Sequence, residues 1–203
     1  MKKHVILLLS CIFVAITVST LSCMQNKSDS NKAESAKSEE NMNENIQSTF
    51  FGATFGDSRE QVIDSLTKHG FWLNTNYSNN TFLTFRSTKS ESFSFGNMSW
   101  GYINIYLNNN KFYYISFYSD YKEKESAKNK YETILEEISK KYKIAPEEPS
   151  DTTTYALQRG YDKNNRRISV YYDQEEATNH SLNYYSFLTY KDLNIEEEAS
   201  DEL

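Results

Sequence analysis

Cysteine, histidine, the carboxylates and tyrosine decide what chemistry this chain could do. Its two cysteines, Cys11 and Cys23, both fall within the first 23 residues, and only His69 and His180 of its three histidines lie beyond them. A nucleophile needs a base beside it, and no Gly-x-Ser-x-Gly turn is present to expose one. His69 stands before Gly70 at a helix end, where a cation suits the dipole. His180 lies in a polar loop, and neither histidine has a metal-ligand partner at a recognised spacing. No glycine-rich loop is built to cradle phosphate. Asp162-Lys163-Asn164-Asn165 resembles the start of a calcium loop but lacks the further ligands and the closing Glu. With 28 Asp and Glu residues, a carboxylate pair for glycoside hydrolysis stays open as a reading, set against the solvated helix faces and tails where they fall. The expectation is a protein that is not an enzyme and takes no metal or cofactor.

Tyrosine is the unusual component, at sixteen residues. Tyr102, Tyr106, Tyr114 and Tyr118 alternate along one strand pair, opposite an aliphatic and Phe face, and Tyr171 and Tyr185 take similar outward positions later. Tyrosine joins an apolar body to a polar tip and anchors interfaces at low entropic cost. The functional reading is a partner-binding sheet face. The plain reading is β-propensity and half-buried packing. A second functional reading is glycan stacking, with Trp72 and Trp100 as its candidates. A third is the carboxylate-pair hydrolase.

Cys23 carries a different chemistry. Lys2 and Lys3 precede an apolar run over 5–18, too short for the ~20 residues that span a bilayer but of the length and flanks of an export signal. Ser22-Cys23 resembles the lipobox of bacterial lipoproteins, in which the Cys is lipidated and becomes the new N-terminus, although Thr20 stands where that motif usually has Leu. The resemblance implies a signal peptide over 1–22, a lipid such as palmitate on Cys23, and membrane attachment through it. An ordinary secretory signal cut near Ser22 is the alternative. Met24 is not the Asp associated with inner-membrane retention, which favours the outer membrane. Loss of Lys2 and Lys3 takes the net charge from −6 to −8. That acidity speaks against nucleic acid, which needs a basic footprint.

Residues 23–48 are polar and read as a disordered tether. Asp57 and Glu60 read as the capping box of a helix carrying Val62, Ile63 and Leu66 and ending at Gly70. Strands follow at 71–73, 81–86 and around 92–98. A hairpin turns at Asn108-Asn109-Asn110 between 101–107 and 111–119. A helix over about 122–142 places Ala127, Tyr131, Ile134, Leu135, Ile138 and Tyr142 on one side. A second hairpin joins 153–162 to 166–173, a last strand covers 182–191, and an acidic tail at 194–203 reads as disordered. The class is α+β: an antiparallel sheet with two helices on one face, as a tandem helix-meander repeat with halves of about 50–119 and 120–192 in one domain over 49–193.

The run Phe51-Gly52-Ala53-Thr54-Phe55-Gly56-Asp57-Ser58, with Val62, Leu66 and Gly70-Phe71, resembles the opening of envelope lipoproteins of the SmpA/OmlA outer-membrane assembly type. The helix-to-meander pattern over most of 50–191 is similar to the tandem layout of the beta-lactamase inhibitor protein. Those likenesses imply a cell-envelope protein that binds other proteins and catalyses nothing. They transfer no binding residue.

Overall fold

The structure is a computed structural model and describes residues 42–176 and 181–197. The expected export signal, the lipid site at Cys23, the first part of the tether, His180 and the end of the acidic tail lie outside those residues.

The described chain opens on a two-residue hairpin, β1 (Thr49–Phe50) with β2 (Ala53–Thr54). Helix α1 (Arg59–Lys68) is capped by Ser58, whose hydroxyl accepts from Gln61 N while the side-chain Oε1 of Gln61 accepts from Ser58 N at 2.8 Å. The capping box is thus one residue later than Asp57 and Glu60 suggested. Asp57 instead accepts from Thr54 N at 2.8 Å and holds the approach to the helix. Gly70, with φ +86°, turns the chain out of the helix, where a side chain would strain the backbone.

Two meanders then make the sheet. In the first, β3 (Phe71–Leu73), β4 (Phe82–Ser87), β7 (Tyr102–Asn108) and β8 (Lys111–Tyr121) pair in turn. Asn109 and Asn110 both take positive φ in the β7–β8 turn, as asparagine does readily. Helix α2 (Lys124–Ser139) leads to the second meander of β9 (Ala145–Pro146), β10 (Thr154–Tyr161), β11 (Arg166–Glu176) and β12 (Leu182–Asp192). The sheet order is β3-β4-β7-β8-β12-β11-β10-β9, antiparallel throughout. Each half is therefore a helix followed by a four-stranded meander, and the halves join along their last strands. Both open edges are blunt: β3 has three residues, and β9 has two, one of them Pro146.

One face of the sheet carries the core. Ile103, Ile105, Phe117, Val170 and Leu188 meet Val62 and Leu66 of α1 and Ala127, Ile134 and Ile138 of α2 in a single buried cluster. Both longer helices thus cover the same face, and Ser186 Oγ donates to the Ala127 carbonyl at 2.6 Å across that contact. Between them sits a hairpin, β5 (Phe93–Phe95) with β6 (Met98–Trp100), where a single strand was expected. Gly96 and Asn97 both take positive φ and reverse the chain there.

Both ends of the domain extend further than composition suggests. The tether expected through residue 48 is docked from Asn43. Ile46 is fully buried, its N–H donates to Asp162 Oδ2 at 2.7 Å, and Asn43 bonds the backbone of Lys143 and Tyr161. A polar stretch with one apolar residue can dock when its backbone finds partners. At the other end, Leu193–Glu197 forms a short helix, α3, instead of a disordered tail. The Asn108 amide donates to Ile195 O at 2.6 Å, and Lys191 pairs with Glu196.

Candidate functional site

Strand alternation sends every second side chain to the face away from the helices. The register then sorts those side chains into rows that cross six strands. The first row is Phe82, Tyr106, Tyr114, Lys191, Arg167 and Tyr161. The second is Thr84, Asn104, Ser116, Thr189, Ser169 and Arg159. The third runs from Arg86 through Tyr102, Tyr118, Phe187 and Tyr171 to Leu157. Bulky rings thus flank a line of small polar groups, and each row is about 24 Å long at ~4.8 Å per strand.

The rings stand on edge. Tyr102 stacks on Tyr118 at 4.7 Å and 12°, Tyr118 on Phe187 at 5.6 Å and 26°, and Phe187 on Tyr171 at 4.5 Å and 13°. Each ring covers its neighbour's face and leaves its edges to the outer side, while the Tyr171 hydroxyl bonds Tyr114. Arg86 closes the line, with its guanidinium 4.4 Å from the Tyr102 ring centre and Nη2 donating to the Tyr102 hydroxyl at 2.6 Å. Between the walls, Thr84, Ser116, Thr189 and Ser169 are buried. Burial pushes the Tyr106 hydroxyl up to about 12, helped by Tyr114 and Tyr113. Burial also raises Tyr114, against the pull of the Tyr171 and Thr189 hydroxyls and the Arg167 charge. These tyrosines are neutral hydrogen-bonding groups at any physiological pH.

Where loop 149–153 meets β10 and β11, the outer face deepens into a cleft of about 260 Å³. Arg159 and Arg167 line one end, Asp151 and Asp173 the other, with Tyr171 between them. Burial, reinforced by the negative charges of Asp151 and Glu175, pushes the Asp173 carboxyl up to about 7. A carboxylate pair does therefore share a cleft. Asp151, however, is spent on its own loop: Oδ1 accepts Thr153 N at 2.9 Å, Thr153 Oγ1 at 2.8 Å and Thr154 N at 2.7 Å, and Oδ2 accepts Thr154 Oγ1 at 3.2 Å. Those bonds hold its carboxyl below the usual range, the Thr154 N–H most of all. A nucleophile or base wants free lone pairs, and this group has few.

The structure brings seven of the expected residues onto one face: Tyr102, Tyr106, Tyr114, Tyr118, Tyr171, Tyr185 and Trp72. Trp72 is 43 % exposed at the β3 edge, opposite Arg86. Trp100 is not among them. It is 1 % exposed, its Nε1 donates to the Phe95 carbonyl at 3.0 Å, and its ring lies 5.9 Å from Phe117. The β5–β6 hairpin folds over the core side and takes Trp100 with it, so this residue offers nothing to a ligand.

Asp162 is likewise no ion ligand in waiting. Its Oδ2 takes Ile46 N, and its Oδ1 takes Asn164 N at 2.9 Å and Arg166 N at 3.0 Å. His69 Nδ1 lies 2.8 Å from Ser65 O on the surface of its own helix. Among the described residues, no three His, Cys, Asp or Glu side chains are grouped to hold a metal ion. Arg159, Arg167, Asp173 and Phe187 were not expected. The alternation Arg167, Ser169, Tyr171, Asp173 is visible in the chain, but nothing local says that it lies beside Tyr114. The chain matches no protein-family model, no curated protein and no solved structure.

Proposed function

We propose that this chain is a lipid-anchored, non-catalytic cell-envelope protein that docks a protein partner on the outer face of its sheet. The observation that carries the reading is the edge-on aromatic row, Tyr102-Tyr118-Phe187-Tyr171, which crosses the junction of the two halves. The rings are packed by one another and so are already ordered, which lowers the entropy lost on docking. The face also has opposite ends, with Arg159, Arg167 and Lys191 at one and Asp120, Asp173 and Glu175 at the other. Such polarity orients a protein surface of complementary charge.

Glycan stacking is the weaker reading. Sugars need an open ring face, the rings of this row cover one another, and Trp100 is buried. Trp72 alone of the two tryptophans could serve it. The lipid on Cys23, the outer-membrane location and the likeness to the SmpA/OmlA type rest on residues 1–24 and on the motif at 51–71.

A photoreactive phenylalanine analogue at Tyr102 or Tyr118 should give an envelope cross-link that the same analogue at Lys128, on the exposed side of α2, does not. The pair Tyr102→Ala and Tyr106→Ala should lose the partner from pull-downs. Recovery at wild-type yield would remove this face from consideration. Cys23→Ala should appear in the soluble fraction, and firm retention on membranes would rule out the lipid.

A further inference from the structure

We propose that the cleft between β10, β11 and loop 149–153 binds an anionic group, a carboxylate or a phosphate, held by the Arg159 and Arg167 guanidiniums with the Ser169 and Thr189 hydroxyls beside them. This site stands whether or not the tyrosine face docks a protein.

Charge is the first reason. The chain carries −6 overall, yet three cations gather at one end of the outer face. Lys191 lies beside Arg167 in register, and Arg159 sits opposite Ser169 one row along. Burial holds the Lys191 ammonium down, against the support of Glu196, and the charges of Arg167 and Arg159 add to the lowering. Like charges brought together repel unless something neutralises them. Glu147 takes Arg159 Nη1 at the cleft rim, and Glu196 takes Lys191. Among the described residues, none forms an ion pair with Arg167.

Donor chemistry is the second reason. Arg159 and Arg167 line the same cleft, with Ser169 and Thr189 in register beside them. Two guanidiniums on one cleft match the forked geometry by which arginine grips carboxylate and phosphate. An anion held there would neutralise Arg167.

The cleft also limits what the anion belongs to. Its volume of about 260 Å³ falls just below the ~300–1,000 Å³ of pockets for drug-sized ligands. It suits one headgroup or one residue, not a polymer run. The carboxyls of Asp151 and Asp173 form the far end and repel a second negative charge there. The ligand is therefore anionic at the arginine end only.

The test follows the Nε–Hε resonances of Arg159 and Arg167 in ¹⁵N-labelled full-length protein. Sodium phosphate and sodium acetate are titrated separately, with sodium chloride at matched ionic strength as control. Both resonances should move saturably with one of the two anions and not with chloride. The anion that saturates identifies the chemistry as phosphate or carboxylate. Arg167→Gln should weaken that binding at least tenfold with the backbone amide spectrum otherwise unchanged. Tyr102→Ala with Tyr106→Ala should leave the titration as in wild type, which separates this site from the partner face. Shifts that never saturate, that chloride reproduces, or that persist at full affinity in folded Arg167→Gln would overturn the proposal. Should Arg167→Gln fail to fold, Thr189→Val is the second variant, and a loss of at least threefold in affinity is expected of it. Unchanged affinity there would also overturn it.

Discussion

Replacing Gly160 with alanine probes how the domain grips its own N-terminal segment. Gly160 lies on the core side of β10, opposite Ile168. A Cβ there would sit 2.2 Å from the Lys143 carbonyl oxygen, 3.0 Å from Asn43 Nδ2 and 3.1 Å from Ile144 Cγ2. Carbon and oxygen do not approach to 2.2 Å, so the Lys143 carbonyl must move by about an ångström, roughly the shortfall from van der Waals contact. That carbonyl also accepts from Asn43 Nδ2 at 3.0 Å, while Lys143 N donates to Asn43 Oδ1 at 2.7 Å. Overpacking a tight site costs about 1–3 kcal/mol, and each part-buried hydrogen bond lost adds about 1 kcal/mol. Gly160→Ala should therefore destabilise the fold by about 3–4 kcal/mol. Urea unfolding measures this as a fall of about 1.5–2 M in midpoint at unchanged slope, taking a slope of about 2 kcal/mol/M. Gly101→Ala is the control: the nearest atom to its Cβ is Tyr118 O at 3.7 Å, an ordinary contact, and it should stay within about 0.5 kcal/mol. In an Asn43→Ala background, Gly160→Ala should cost about 1–2 kcal/mol less, because the two bonds it strains, at about 1 kcal/mol each, are already gone. A Gly160→Ala protein as stable as Gly101→Ala would mean that Lys143 is not held where the structure puts it.

Trp100→Ala empties a fully buried site and should cost about 3–5 kcal/mol by urea unfolding, whereas Trp72→Ala at the exposed edge should cost under about 1 kcal/mol. Asp162→Ala strips the acceptors from the N–H groups of Ile46, Asn164 and Arg166 and should cost about 2–4 kcal/mol, with Asp162→Asn milder because one oxygen remains. Asp173 has a folded value of about 7 against an ordinary 3.8. A raised carboxyl leaves stability intact below its unfolded value and loses it as pH rises through the folded one. Melting temperature should thus fall between about pH 4 and 7 in wild type more than in Asp173→Asn. After solvent screening the variant should gain about 1–2 kcal/mol at pH 8, and parallel pH profiles for the two proteins would contradict this.

Local rules explain which elements were legible. The β7–β8 hairpin follows from strict alternation around asparagines that accept positive φ, and α2 follows from three- and four-residue apolar steps. The capping box slipped by one residue because Asp57–Glu60 and Ser58–Gln61 both satisfy its spacing. Only the second is reached once β1 and β2 fix Asp57 on Thr54. Composition misjudged residues 43–48 and 194–197 for another reason. Polar segments read as disordered until a buried acceptor such as Asp162, or an amide such as Asn108, offers their backbone a partner.

By itself, the sequence determined the class of fold, the alternation of each strand and the presence of a tyrosine-bearing face, because those depend on periods of two and 3.6 along the chain. It also determined the order of helix then meander in each half. Only the tertiary structure decided that the last strands of the two halves pair, with Tyr118 beside Phe187 and Tyr114 beside Lys191. That pairing assembles the aromatic rows and brings Arg159, Arg167 and Asp173 around one cleft. It also decided which way Trp100 faces, since alternation fixes the relative sides of residues within a strand but not which side becomes the core. Neighbouring strands and their register are settled by contacts between residues some seventy positions apart in the chain, and no local pattern encodes those.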